Sequence, residues 1–369
     1  MTGVPLFLCG DVMTGRGIDQ ILRAPSDPGI HEPQLNSALE YVRLAEEASG
    51  PIPRAAAPEY VWGDALAELA RAMPAARIVN LETAVTRSGD WLPKGINYRM
   101  SPENAACLRA AALDCCVLAN NHVLDWGPRG LEETLDTLRA AGIRSAGAGR
   151  TLEEAEAPAV LPLAGGGRLL VYALAHESSG VPPEWAAQPQ RPGVAHLPDL
   201  SERTAERLRS RMAAARRAGD LVVASVHWGG NWGYAISAEE RGFAHALVAP
   251  GGADLFHGHS SHHPKAIEVH GGRPILYGCG DLINDYEGIG GHEAFRPGLG
   301  LMYFPVLDAA SGELLELAMT PLRMERFRAA RAGEDDCRWL AARLDRECRA
   351  LGARVVRRAE HRLDLEWGA

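Results

Sequence analysis

Short apolar runs alternate along most of the chain with segments whose apolar positions recur every three or four residues. The runs at 5–9, 77–80, 115–119, 144–147, 169–173, 221–227, 253–257, 266–270, 274–278 and 300–306 are bounded by Gly, Pro, Asn or Asp and predict strands. The helical period predicts helices over 61–72, 102–112, 130–141, 201–218 and 237–249. Strands and helices taking turns in this way imply an α/β fold, with sheets covered by helices. The late strands follow one another without helices between them and predict antiparallel additions, one of them a hairpin around Gly271-Gly272.

Two segments break the rhythm. Residues 23–58 are rich in proline and poor in periodicity, too long for an ordinary connection, and predict a lid or mobile insertion. Residues 177–198 are similarly rich in Pro and Gly. Past Met324 the chain turns charged, and Trp339, Leu340, Leu344 and Leu351 mark an amphipathic helix over 334–351. The expected organisation is one domain over 1–323 followed by a helical extension over 324–369.

Composition narrows the functional classes. The chain has 369 residues, is 46% hydrophobic and 23% charged, and carries a net charge of −9, which disfavours a general nucleic-acid surface. Lys94 and Lys265 are the only lysines. The seven cysteines are odd in number and lack C-x-x-C spacing, which points to a reducing compartment and to no zinc–thiolate site. No run approaches the roughly 18 apolar residues of a membrane span. The expectation is a cytoplasmic, unanchored protein.

The chemistry gathers at the predicted strand ends, where α/β folds collect ligands. Asp11 leaves the first strand within G-D-V-M-T-G-R, and Glu82 follows the second within N-L-E-T. The third cluster, A-N-N-H-V-L-D-W-G at 119–127, holds Asn121, His122, Asp125 and Trp126. The fourth, V-H-W-G-G-N-W at 226–232, holds His227, Trp228 and Trp232. The densest stretch is 257–285, with His257, His259, His262, His263, His270, Asp281 and Asp285, read as a loop before a hairpin. Imidazoles at such a place suit both metal binding and proton transfer.

Together these motifs resemble the CapA family, the poly-γ-glutamate-synthesis-type proteins of calcineurin-like metallophosphoesterase fold, and they stand in family order. The resemblance implies a layered αββα sandwich with a metal site at one sheet edge. It places Asp11, Glu82, Asn121, His227 and His259 at the metal positions and His122 at the catalytic histidine of the phosphoesterase G-N-H motif. Three departures bear on activity. The first motif reads Asp11-Val12-Met13 in place of D-x-H, the second has Asn80-Leu81-Glu82 in place of G-D-x-x-D, and Val123 replaces an acid after His122. They predict one divalent ion, of the hard Ca²⁺, Mg²⁺ or Mn²⁺ type, in place of the two that clamp a phosphoryl transfer.

With metal positions assigned, Asp11, His122, Asp125, His259, His262, Asp281 and His292 form the expected catalytic set. Arg16 is expected to pair with a substrate carboxylate, and Trp126, Trp228 and Trp232 to wall the pocket, with Trp62 and Trp91 as further candidates. The resemblance extends to soluble members that epimerise ribosomally made peptides, notably lasso-peptide precursors. The expected activity is that of a metal-dependent epimerase inverting Cα of a peptide's C-terminal aromatic residue by His/Asp acid–base chemistry. The alternatives are a phosphoesterase or γ-glutamyl hydrolase, or a CapA-type capsule component.

Overall fold

A computed structural model of the chain describes residues 3–368. The strands are mixed in direction and fall mainly into two large sheets. The first has the strand Gly3–Val12 near its middle, flanked in parallel by Ala76–Leu81, Cys115–Val117 and Arg144–Ala146. On its other side the antiparallel strands Leu299–Asp308 and Leu314–Glu325 continue the sheet. The second sheet is built on parallel strands Arg168–His176, Leu221–His227, Leu255–His259 and Arg273–Leu276, the last closed into a hairpin by Ile267–His270. Every residue of Leu221–His227 is buried, the near-continuous apolar run of a strand covered on both faces.

Alternate residues of the second sheet go to two different apolar clusters. Leu169, Val171, Leu221, Val223 and Leu255 join the strands of the first sheet in one core. Leu170, Val222, Ala224 and Phe256 face the helices Glu202–Ala215 and Ala238–Val248 in another. The period of two along each strand produces this division. Ser237 caps the Ala238–Val248 helix in a reciprocal pairing with Glu240, which fixes where the chain re-enters after the fourth motif.

The structure departs from the sequence expectation in three places. The stretch 23–58 contains the helix Leu39–Ser49, which packs on Arg16–Ile21. It is held there because Glu32 and Tyr41 bind the Arg16 guanidinium. Leu314–Glu325 runs across the expected boundary at 323/324. Beyond the helix Glu334–Arg349, strands Ala353–Arg357 and Leu363–Trp367 join the first sheet, the latter pairing with Leu314–Glu325. Finally, the strand Leu255–His259 continues two residues past the expected end at 257, so His259 lies within it and not in a loop.

That last difference sets the site. Ser225 is in register with His257, and His227 with His259, across two parallel strands. Side chains two apart share a face, so four polar groups point the same way from the middle of an apolar sheet. In the first sheet Asp11 is in register with Asp281 and with Asn80. The approach of those strands depends on Gly10, where a Cβ would fall 1.9 Å from the Gly280 carbonyl oxygen. Both sheets thus deliver their acids and imidazoles to one region.

Candidate metal centre

The floor of the site is a set of buried acids. Asp11 accepts hydrogen bonds from Asn80 Nδ2 (2.7 Å) and the Ser260 amide (3.3 Å). Burial pushes its carboxyl up to about 7, with the charge of Asp281 adding to the rise and the Asn80 hydrogen bond opposing it. Burial and the nearness of Asp11 push Glu82 well above the usual carboxylate range. Carboxylates packed this way are stable as anions only with a compensating cation.

The imidazoles supply the rest of a donor set. Asp11, His227 and His259 each present an atom, all within 4.8 Å of one another. Nδ1 of His227 and Nδ1 of His259 face each other at 2.8 Å, and His259 Nδ1 is 3.9 Å from Asp11 Oδ1. Burial holds both rings well below the usual histidine range, which favours their neutral forms. His227 Nε2 donates to the Asn121 amide oxygen at 3.1 Å, leaving its Nδ1 lone pair directed at His259. Two lone pairs and a carboxylate converging in a buried space fit a bound cation. Asn121 Oδ1 and Glu82 Oε1, both expected in the metal set, stand 3.1 Å and 3.9 Å from His227 Nε2. A second trio of Asp11, His262 and Asp281 lies alongside and shares Asp11.

Two imidazole–carboxylate pairs border these acids. His122 Nδ1 is 2.6 Å from Asp125 Oδ2, with its Nε2 3.7 Å from Glu82 Oε1. Lys94 reaches Asp125 Oδ1 at 2.7 Å and also bonds the Asn121 carbonyl. Burial lowers His122 to about 4 against the opposing pull of Asp125. His262 Nδ1 is 2.9 Å from Asp281 Oδ1, and Asn284 donates to the other carboxylate oxygen. Burial pulls His262 down, but Asp281 outweighs it and the ring titrates above its ordinary value. Tyr98 stands edge-on to His122 at 4.4 Å between centroids, and Tyr286 edge-on to His262 at 5.4 Å. The two phenol oxygens are 3.1 Å apart, linking the pairs. Sequence reading missed both tyrosines and Lys94, which sit outside any motif.

Beside His262 opens a cavity of about 260 Å³ lined by Arg16, Tyr98, Trp232, Tyr286 and His292, among others. Trp232 is the one expected wall tryptophan that lines it. Its ring stacks on His292 at 3.9 Å, which places His292 at the rim of the cavity. Trp228 is 3% exposed and packed against Phe243, Phe256 and Tyr277, and Trp126 is buried with its indole donating to the Tyr98 carbonyl. Both are core residues and corrections to the expected substrate set. Trp62 is also buried, bonded to the Cys107 carbonyl, while Trp91 is exposed and stacks on His31. Trp228→Ala should therefore cost about 3–5 kcal/mol of stability, read by denaturant unfolding, whereas Trp232→Ala should weaken substrate binding and leave the unfolding midpoint nearly unchanged.

Arg16 is the other correction. Its guanidinium is bound by Asp285, Glu32 and Tyr41 and lies over the Tyr98 ring at 4.4 Å. It is already neutralised and holds the tyrosine wall; it has no charge to spare for a substrate carboxylate. Arg16→Ala strands Asp285 in the interior and should destabilise the fold by about 3–5 kcal/mol, again a matter for unfolding titrations.

Residues 5–286 match the family model described as "Bacterial capsule synthesis protein PGA_cap". The chain belongs to that family. A "Probable polyglutamine synthesis accessory protein" of Mycobacterium tuberculosis is 46% identical over 364 residues, covering 98% of this chain and 96% of that protein. The "PGA biosynthesis protein CapA" of Bacillus subtilis is 26% identical over 284 residues, covering 75% of this chain and 62% of its own. All the residues of the metal centre and both imidazole–carboxylate pairs fall inside the matched span. No helix among the described residues is long and apolar enough to cross a membrane.

Proposed function

We propose that this protein is a metal-dependent accessory enzyme of poly-γ-glutamate or polyglutamine-type polymer synthesis, acting on the peptide polymer by acid–base chemistry. The names of its relatives support the pathway. The observation that carries the chemistry is the pair of carboxylate-oriented imidazoles, His122–Asp125 and His262–Asp281, bordering one buried donor set. The two sheets, sharing one core and with helices outside the second, support the inner layers of an αββα sandwich of calcineurin-like type. The unpaired, buried cysteines support a reducing compartment such as the cytoplasm.

Asp11, Glu82, Asp125, Asp281, Asp285 and Glu32 surround the site, against only Arg16 and Lys94 within it. A bound divalent cation would offset much of this negative charge. A divalent ion held by Asp11, His227 and His259 would supply Lewis-acid polarisation of a carbonyl. Two imidazoles and one carboxylate suit a borderline ion such as Mn²⁺, Fe²⁺ or Zn²⁺ better than the harder Ca²⁺ or Mg²⁺. The residues do the remaining work. With Nδ1 donating to Asp125, His122 Nε2 accepts a proton from water or substrate. His262, held by Asp281, returns one to the departing nitrogen, and the tyrosine-walled cavity receives the adjacent side chain.

A second reading, inversion at Cα of a peptide's C-terminal residue, is favoured by the same two pairs, since inversion needs an acid and a base at one carbon. Incubation of glutaminyl and glutamyl oligomers with the metal-loaded protein in D₂O separates the two. Released amine without label at Cα supports amide cleavage, deuterium at Cα supports inversion, and neither product sinks both.

A further inference from the structure

Ser225 and His257 take no part in the donor set, yet both are fully buried in strands whose only other polar side chains are His227 and His259. Polar groups in such places are costly unless hydrogen-bonded, and here they form one continuous chain. His257 Nε2 is 2.8 Å from the carbonyl oxygen of Cys9. Its Nδ1 is 3.0 Å from Ser225 Oγ, which is 2.8 Å from His259 Nε2.

The donors along this chain can be assigned in order. A carbonyl only accepts, so His257 carries its proton on Nε2 and its Nδ1 is an acceptor. Ser225 has one hydroxyl proton and must give it to His257 Nδ1. Its oxygen then accepts from His259, which must carry its proton on Nε2. The Nδ1 of His259 is left as a lone pair facing His227 Nδ1 and Asp11. In the opposite tautomer Ser225 would need two protons.

We propose that Ser225 and His257 are positioning residues that fix the tautomer of His259, and with it the metal affinity of the site, through a chain anchored on the Cys9 carbonyl. The anchor belongs to the first sheet and the other members to the second, so the clamp spans the seam between them and ends two residues from Asp11. The inference rests on the metal reading of the site, and not on which reaction the site performs.

The test uses the full chain, stripped of metal by chelation, with Mn²⁺ and Zn²⁺ as probes. Ring ¹⁵N–¹H spectra of the metal-free wild type should show His259 protonated on Nε2. Ser225→Ala and His257→Phe should each raise the dissociation constant of both ions by about 10- to 100-fold. His257→Gln, which keeps a donor and an acceptor, should stay closer to wild type than His257→Phe. A His259 proton on Nδ1 in the wild type overturns the clamp, and that spectrum does not depend on any variant folding. Affinities within about twofold of wild type in both Ser225→Ala and His257→Phe also overturn it. A wild type that binds neither ion overturns the clamp together with the metal reading, whereas failure of the proposed reaction alone leaves these affinities untouched.

Discussion

Alanine at His122 or at His262 is expected to slow turnover by roughly 10²- to 10⁴-fold, the usual worth of a positioned general acid or base. The fold should survive either change. Asp125 keeps Lys94 and the Tyr98 amide when His122 is gone, and Asp281 keeps Asn284 when His262 is gone. Metal content should also persist in His122→Ala, because that ring is outside the trio of Asp11, His227 and His259. Steady-state kinetics beside metal analysis checks both statements. Full activity in either variant would remove that imidazole from the reaction. Asp125→Asn and Asp281→Asn should show smaller losses of the same kind, since they disturb orientation and leave the ring in place.

Asp11→Asn is expected to abolish activity and metal retention together, while making the metal-free protein more stable at alkaline pH. The sign follows from the raised carboxyl. In the unfolded chain Asp11 ionises near 3.8, and in the folded one near 7. Below the first value both states are protonated and nothing is lost. As pH rises through the second, the folded state must carry a buried anion, a cost on the order of a few kcal/mol. Metal-stripped wild type should thus lose stability between about pH 4 and pH 7, and Asp11→Asn should lose less. Saturating metal reverses the order, because only the wild type gains from binding. Thermal unfolding across pH, with and without metal, reads all of this. Parallel pH profiles for the two stripped proteins would show that Asp11 is not the strained acid.

The positions of the chemistry were legible because strand ends leave a strong signature: a buried apolar run followed at once by Asp11, Glu82, Asn121 or His227. Their convergence followed from the family likeness and from parallel pairing. What the pattern did not carry was direction in space. Trp228 and Trp232 lie four residues apart in one motif, yet one packs under a helix and the other lines the cavity. Arg16 reads as a free cation until Asp285, 269 residues away, is brought against it. Tyr98 and Tyr286 join the two imidazole pairs from loops with no periodicity at all. The strands at Ala353–Arg357 and Leu363–Trp367 are short and follow a strongly helical stretch, so local composition favoured the helix alone.

The Cys9–His257 bond joins residues 248 apart in the chain. A ribosome working at about 5–20 residues per second needs on the order of 12–50 seconds to go from one to the other. Through that interval the first strand has been made, but His259, which completes the donor set with Asp11 and His227, has not. No nascent fragment short of His259 can present the whole donor set, so an ion bound there would be acquired only after that residue has been made. Supply of the ion would then govern a late step of maturation and leave the earlier ones alone.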